Sequence, residues 1–347
     1  MKIPSFRTPV SAGILLRVAA PPLAAIIAGP LVVALFSGAP GTAIAAFAFG
    51  PVSSAGAASA FVEQSALLAL CALGAALAFR SGSFNLGGEG QLYSGGLVAV
   101  LAALALPSAS PAAALVAALG FGALGGAALA LPSALGKRFA GADVLLSSFL
   151  VSQAAVLAID WLIASPLRDA ESNLIATRIV SRALLPDRAI FPSGYAPYAA
   201  LLLAAALAIF FARTGEGRAV DLYGGNPTFA KSVGLPVGKL ALWPLVGAGA
   251  LHGLAGAFIA LGPAGRAVRG MSGGMGWTAI AVSLLAGNRP LAVLPAALLL
   301  GWLDSGARQA AVLAGVPFDA ALLVKAFVLL LATARLLPRP ARGRRQA

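Results

Sequence analysis

The residues best suited to bind a polar ligand sit in one glycine-rich stretch, FRSGSFNLGGEGQLYSGGLVAV (79–100), which places Asn85, Glu89 and Gln91 in the midst of apolar runs. An ionised glutamate in hydrocarbon costs at least ~2.5 kcal/mol, so Glu89 is expected to face protein or a watery cavity rather than lipid. Glycines at 82, 87, 88, 90, 95 and 96 allow close backbone approach, and they tolerate a helix break whose freed amides are satisfied internally. Glu89 can serve either a ligand or those amides. A second interrupted segment, GPAGRAVRGMSGGMGWTAIAVSLLAGNRP (262–290), carries Ser272, Trp277 and Thr278 near its break. Two interrupted segments in corresponding halves point to a substrate site near a membrane midplane. Each one alone also fits helix packing through small residues.

Other chemistry is sparsely represented. His252, the only histidine, lies inside VGAGALHGLAGAFIALG, where it can hydrogen-bond a ligand, relay a proton or tie two helices together. One histidine and one cysteine, Cys71, cannot supply a usual zinc set, and Cys71 can form no internal disulfide. There is no phosphate-cradling G-x-x-x-x-G-K-[ST], because the Gly-Lys pairs at 136–137 and 238–239 are followed by Arg and Leu. No G-x-S-x-G or triad is found either. Catalytic residues, metal and cofactor are therefore expected to be absent from this chain. Asp304 with Arg308, and Asp319 with Lys325, read as structural pairs.

The elements that must carry these residues are membrane helices. The chain has 347 residues, 60% hydrophobic and 10% charged, with a mean hydropathy of +0.93, against about 25% charged residues in a soluble domain. Unbroken apolar runs predict an all-α, polytopic bundle rather than a β-barrel. Spans are expected near 18–38, 61–79, 86–106, 111–135, 144–164, 195–212, 240–262 and 320–336. Shorter pieces at 275–287 and 291–305 leave the count at eight to ten. The first run, followed by TAIAAFA, resembles a signal peptide but is long enough to be an uncleaved helix.

The net charge of +13 could suggest nucleic acid. Its placement, in short segments between apolar runs and in RLLPRPARGRRQA, reads instead as a topology signal. With ten crossings, sixteen positive residues fall on one side and seven on the other. That bias puts both termini in the cytoplasm, residues 165–194 outside and residues 213–239 inside. The whole chain, 1–347, reads as one transmembrane domain.

The inner loop RTGEGRAVDLYGGNPTFAKSVGLPVGK (213–239) holds a Gly-Gly-Asn-Pro turn at 224–227, then a short segment ending at Gly234. Asn226 before Pro227 suits a helix N-cap with proline in the first turn. This loop resembles the coupling loop of permease subunits of bacterial ABC importers, in the branch that includes ribose-type and branched-chain amino-acid permeases. Gly224, Asn226, Ala230 and Gly234 match its G-x-N-x-x-A-A-x-x-x-G-[IV] pattern; Phe229 and Asp221 depart from it. SGSFNLGGEGQ (81–91) resembles the [ST]-G-x-[FL]-N-[IL]-G-x-E-G-Q signature of nucleoside and simple-sugar permeases that work with basic-membrane-protein-type lipoproteins. The external loop, with Thr177 and Pro186, resembles that group's as well, and the likeness runs from about residue 61 to 336.

The resemblance implies a permease subunit in the bacterial inner membrane, importing nucleosides or related ribosides or simple sugars. Its partners would be an ABC ATPase that binds the ATP, a second permease completing a heterodimer, and a substrate-binding lipoprotein. Asn85, Glu89, Gln91 and Trp277 would lie near the pathway, the amides meeting hydroxyls or base edges and the indole stacking. Gly224, Asn226, Ala230 and Gly234 would couple to the ATPase. Two other readings remain at this level: a proton- or sodium-driven secondary transporter using Glu89 and His252, and a scaffold or intramembrane enzyme using the loop 165–194.

Overall fold

A computed structural model describes residues 26–106, 110–185, 189–262 and 264–317, together with Leu323 and Ala326. Helices account for the fold, and among the described residues the only β-type pairing is a single antiparallel bridge, Ala176 to Val268. The chain divides into a larger unit, 55–301, and a smaller one made of 1–54 and 302–347.

In the larger unit α3 (Ala55–Arg80) is followed by α4 (Gly88–Ala105), α5 (Pro111–Leu135), α6 (Val144–Ala164), α7 (Ala196–Arg213), α8 (Gly215–Gly225), α9 (Pro227–Ser232), α10 (Val237–Leu240), α11 (Trp243–Ala260) and α12 (Met275–Leu285). In the smaller unit α1 (Ile26–Leu35) and α2 (Pro40–Phe49) come first. The last helix, α13 (Pro290–Ala314), supplies residues to both.

Among the described residues six helices are long and apolar enough to cross a membrane: Ala55–Arg80, Pro111–Ala140, Val144–Ala164, Ala196–Arg213, Val237–Ala260 and Pro290–Ala314. α3 is the most enclosed of these, while α6 and α7 turn most of their surface outward. The centre of the larger unit is a glycine seam. A methyl group at Gly256 of α11 would overlap the Leu92 carbonyl of α4, and one at Gly126 of α5 would overlap the Gly249 carbonyl of α11. Small residues bring three backbones together where lipid supplies no hydrophobic drive between helices.

Two expectations are corrected. The helix expected over 18–38, described from Ile26, ends at Leu35, and a second helix that was not expected, α2, begins at Pro40 with Ala39 held outside the helical region at φ −132°, ψ 73°. Proline disfavours helical geometry in the residue before it, so a run that is apolar throughout is still cut. The piece expected at 291–305 continues to Ala314, 25 residues in all, despite Pro295. It stops where Gly315 turns left-handed, and it is long enough to span. The expected α12 is short, as read from its breakers. The 320–336 span lies outside the described residues except for Leu323 and Ala326, both helical.

Candidate functional site

The glycine-rich stretch forms a true break between α3 and α4. Residues 81–87 leave the helix, and the amides so freed find partners on α6, where Ser148 Oγ accepts from Leu86 N at 2.9 Å and Ser152 Oγ accepts from Gly90 N at 2.8 Å. A Cβ at Gly90 would come 2.7 Å from the Ser152 backbone, so glycine is what permits the second bond. Asn85 and Gln91 are buried and bonded to each other, Asn85 Nδ2 donating to Gln91 Oε1 at 3.1 Å. Asn85 Oδ1 also accepts from Gly87 N at 2.8 Å. Both amides thus serve the break itself.

Glu89 reaches the second interrupted segment. One carboxyl oxygen accepts from the Ser272 hydroxyl and the other from Gly276 N at 2.8 Å. Gly276 lies in the first turn of α12, whose N-cap Gly274 offers no side chain. Glu89 therefore caps a helix that cannot cap itself, at the positive end of its dipole. The next residue, Trp277, is half-buried and tilts against Phe149 of α6, centroids 5.9 Å apart at 60°.

The segment before α12 is held from its other side by residues 169–180. Thr177 N donates to the Ala267 carbonyl at 2.9 Å, Ala267 N to Thr177 Oγ1 at 3.1 Å, and Val180 N to the Gly265 carbonyl at 2.8 Å. Arg266 bonds Ser172 Oγ at 2.9 Å and lies 4.0 Å from Asp169, while Arg269 lies 3.9 Å from Asp160. The long loop thus docks onto the break. His252 is buried on α11, its ring filling the space left by Gly74 and Gly88, and its Nδ1 has no hydrogen-bond partner among the described residues. No group of three His, Cys, Asp or Glu is placed to hold a metal among the described residues.

A second polar cluster fixes the 213–240 region to the end of α3. Asn226 Oδ1 accepts from Phe229 N at 2.9 Å with Pro227 in the first turn, the cap geometry that Asn-Pro suggested. Ala230 is fully buried among Leu77, Phe211, Val220, Tyr223, Leu240 and Ala241. Gly234 closes α9 at φ +78°, and a methyl at Gly224 would overlap the Arg80 carbonyl. Asp221, a departure from the coupling pattern, forms a two-pronged ion pair with Arg80: Nε donates to Oδ1 at 2.8 Å and Nη2 to Oδ2. Arg80 also stacks over Phe211 at 3.8 Å, and Lys137 donates to Ser83 Oγ at 2.7 Å while lying over Tyr223 at 5.2 Å. Burial raises the Tyr223 phenol above its ordinary range. Phe229, at the other departure, is 49% exposed and Val233 51%, which leaves an apolar face on α9 uncovered.

Sequence reasoning missed Ser148, Ser152 and Phe149. Their signal is two serines one turn apart within an apolar run, VLLSSFLVSQ, with an aromatic between them. It also treated Asp221 only as an irregularity. The Asp304–Arg308 pair forms at 2.5 Å; Asp319 and Lys325 lie outside the described residues.

Residues 57–333 match the family described as the branched-chain amino acid transport system permease component. The chain belongs to that family. It is 33% identical over 310 residues to the probable riboflavin import permease of Treponema pallidum, covering 88% of this chain and 81% of that protein. It is 32% identical over 270 residues to the guanosine ABC transporter permease of Bacillus subtilis, covering 75% and 76%. A glucose ABC transporter permease of Haloferax volcanii is 28% identical over 277 residues, 76% and 72% of the two chains. No solved structure matches. The protein is thus a permease subunit of an ABC import system, working with an ATPase and other components as a multi-pass protein of the inner membrane. The ion-driven alternative is set aside on the same grounds, and its relatives are transport permeases rather than enzymes.

Proposed function

We propose that this permease imports nucleosides or related ribosides, with simple sugars as the wider class. The relatives named for riboflavin and guanosine support this reading, because both molecules join a flat nitrogen heterocycle to a five-carbon hydroxylated group, an open-chain ribityl alcohol in one and a ribose ring in the other. The break around Glu89 and Trp277 lies near the pathway, with Asn85 and Gln91 beside it. The crossings number eight to ten. Both termini face the cytoplasm, with 165–194 outside, where a substrate-binding lipoprotein delivers its cargo, and 213–239 inside. A second, related permease completes a heterodimer. ATP is bound only on the ATPase, and this chain has no catalytic set, metal or cofactor of its own.

The observation that carries the coupling role is the block of α8 and α9. It is capped by Asn226, packed through Ala230 and pinned to α3 by Asp221–Arg80 and the close approach at Gly224. A rigid lever attached to the most enclosed span can pass a push from an ATPase into the bundle, which switches between two openings. Co-purification of the chain with its genomic neighbours tests this. The ATPase is expected with the intact 224–235 segment and absent when that segment is disrupted; an ATPase bound equally to both forms ends the coupling assignment.

A further inference from the structure

Three contacts close a ring among α4, α6 and α12. Ser148 and Ser152 of α6 accept the Leu86 and Gly90 amides at the start of α4. Glu89, between those two amides, accepts the Ser272 hydroxyl and the Gly276 amide at the start of α12. Trp277, one residue on, comes back to Phe149, which lies between the two serines on α6. Two sides of this ring are polar and buried. The third is aromatic and still open, Phe149 being 37% exposed and Trp277 half-buried.

The body of α12 packs against α3 and α4, and the loop 169–180 holds residues 265–269, so what is left for Glu89 to fix is the turn between them, 272–276. Gly273 and Gly274 stand at φ 55° and 76°, which suits glycine and disfavours other residues, and a side chain at either would meet nothing within 4 Å. That open turn leaves the first turn of α12, where Trp277 sits, to be tied down by its cap. In a dry interior the Gly276 amide needs an acceptor, and Glu89 is the one supplied.

We infer that Glu89 is a positioning residue that acts through α12, holding Trp277 against Phe149, and that Phe149 is the second, specificity-determining aromatic for the flat ring of a nucleoside-like substrate. This rests on the substrate reading above and deepens it. The carboxyl group is occupied by the protein, and Asn85 and Gln91 by each other, so the surfaces left free for a ligand are aromatic. The two rings meet at 60°, which leaves no parallel slot between them. A heterocycle therefore stacks on an open face of the pair, where apolar contact and stacking reward flat ligands over sugars that carry no aromatic ring.

The test uses the complete importer in vesicles, with guanosine, riboflavin and glucose as probes, in a background where Trp161, Trp243 and Trp302 are replaced by Phe, and Trp277 emission is taken as the difference from the same importer carrying Trp277→Phe as well. Glu89→Ala is expected to shift that emission and raise the half-saturating concentration of the transported heterocycle about tenfold, with turnover at saturation little changed. Glu89→Gln keeps an oxygen for the Gly276 amide and is expected to stay within about twofold of the parent on both readouts. Ser272→Ala falls between them and carries the comparison should Glu89→Ala fail to assemble. Phe149→Leu raises half-saturation for guanosine and riboflavin without doing so for glucose. Glu89→Gln as damaging as Glu89→Ala with Trp277 emission unmoved overturns the inference, since Glu89 would then meet substrate itself; so does a Phe149→Leu importer that handles a heterocycle as the parent does. Should the parent importer carry neither heterocycle, the substrate reading and the role of Phe149 fail together. The emission contrast between the Glu89 variants still decides the positioning role.

Discussion

Glu89 and Asp221 each fasten one element to another, but in opposite surroundings. Glu89 is nearly buried and bonds a hydroxyl and a backbone amide, whereas Asp221 meets a guanidinium at a rim where the two side chains are 39% and 22% exposed. Inside the bilayer a freed amide has no water to fall back on, so the acid is aimed at backbone and the bond is hard to replace. At the rim, water competes for both charges and the pair contributes less, yet its planar geometry still fixes direction. The first clamp preserves a break; the second fixes α8 to the end of α3.

The largest difference should appear when each clamp is cut. Glu89→Ala strands a buried amide and a buried hydroxyl and is expected to lose roughly 2–4 kcal/mol of local stability. Amide hydrogen exchange over 270–278 should accelerate accordingly, while 214–235 stays as in the parent. Equal protection of 270–278 in both proteins would mean that the loop 169–180 and the packing of α12 hold the break without Glu89. Gly224→Ala comes next. Its methyl would overlap the Arg80 carbonyl, backbone that cannot turn aside, and overpacking of this sort costs typically 1–3 kcal/mol. ATPase co-purification should fall while heterocycle binding to the assembled remainder holds. Asn226→Ala removes a cap worth about 1 kcal/mol. Faster exchange confined to 227–233 is expected, and a response extending to 270–278 would show that the two clamps are not independent.

The longer helices and the cap at Asn226 were legible because their signals are local: apolar length, and an asparagine placed before proline. The break after α1 was legible in Gly-Ala-Pro at 38–40, but α2 beyond it was not, because ten residues are too few to read as a span. At the site, the oddity of Glu89 could be read from hydrocarbon energetics alone, and service to backbone amides was one of two roles open to it, although the amide it meets belongs to the second interrupted segment and not to its own. Its partners could not be read. Ser148 and Ser152 lie 62 residues beyond the amides they accept, and Ser272 and Gly276 lie 183 and 187 residues from Glu89. No periodicity within one segment reports which face of another helix will meet it. Asp221 looked like a departure for the same reason, since Arg80, 141 residues earlier, explains it.

Asp221→Asn gives the smallest effect on stability and the sharpest on direction. The pair is partly solvated and Arg80 keeps Phe211 beneath it at 3.8 Å, so no more than about 1 kcal/mol should be lost, and helix content and assembly should survive. What changes is how firmly α8 follows α3, and the readout is ATP hydrolysed per substrate molecule moved. That ratio should rise in Asp221→Asn. Salt should reproduce part of the change in the parent, because near 1 M the screening length falls to about 3 Å and a rim pair weakens. The buried Glu89 contacts should be indifferent to the same treatment, with Trp277 emission constant across it. If the ratio in Asp221→Asn responds to salt as the parent's does, the sensitivity belongs to the ATPase contact and not to Arg80–Asp221. If Trp277 emission follows salt as well, the inner clamp is wetter than its burial implies, and the contrast between the two carboxylates would fail.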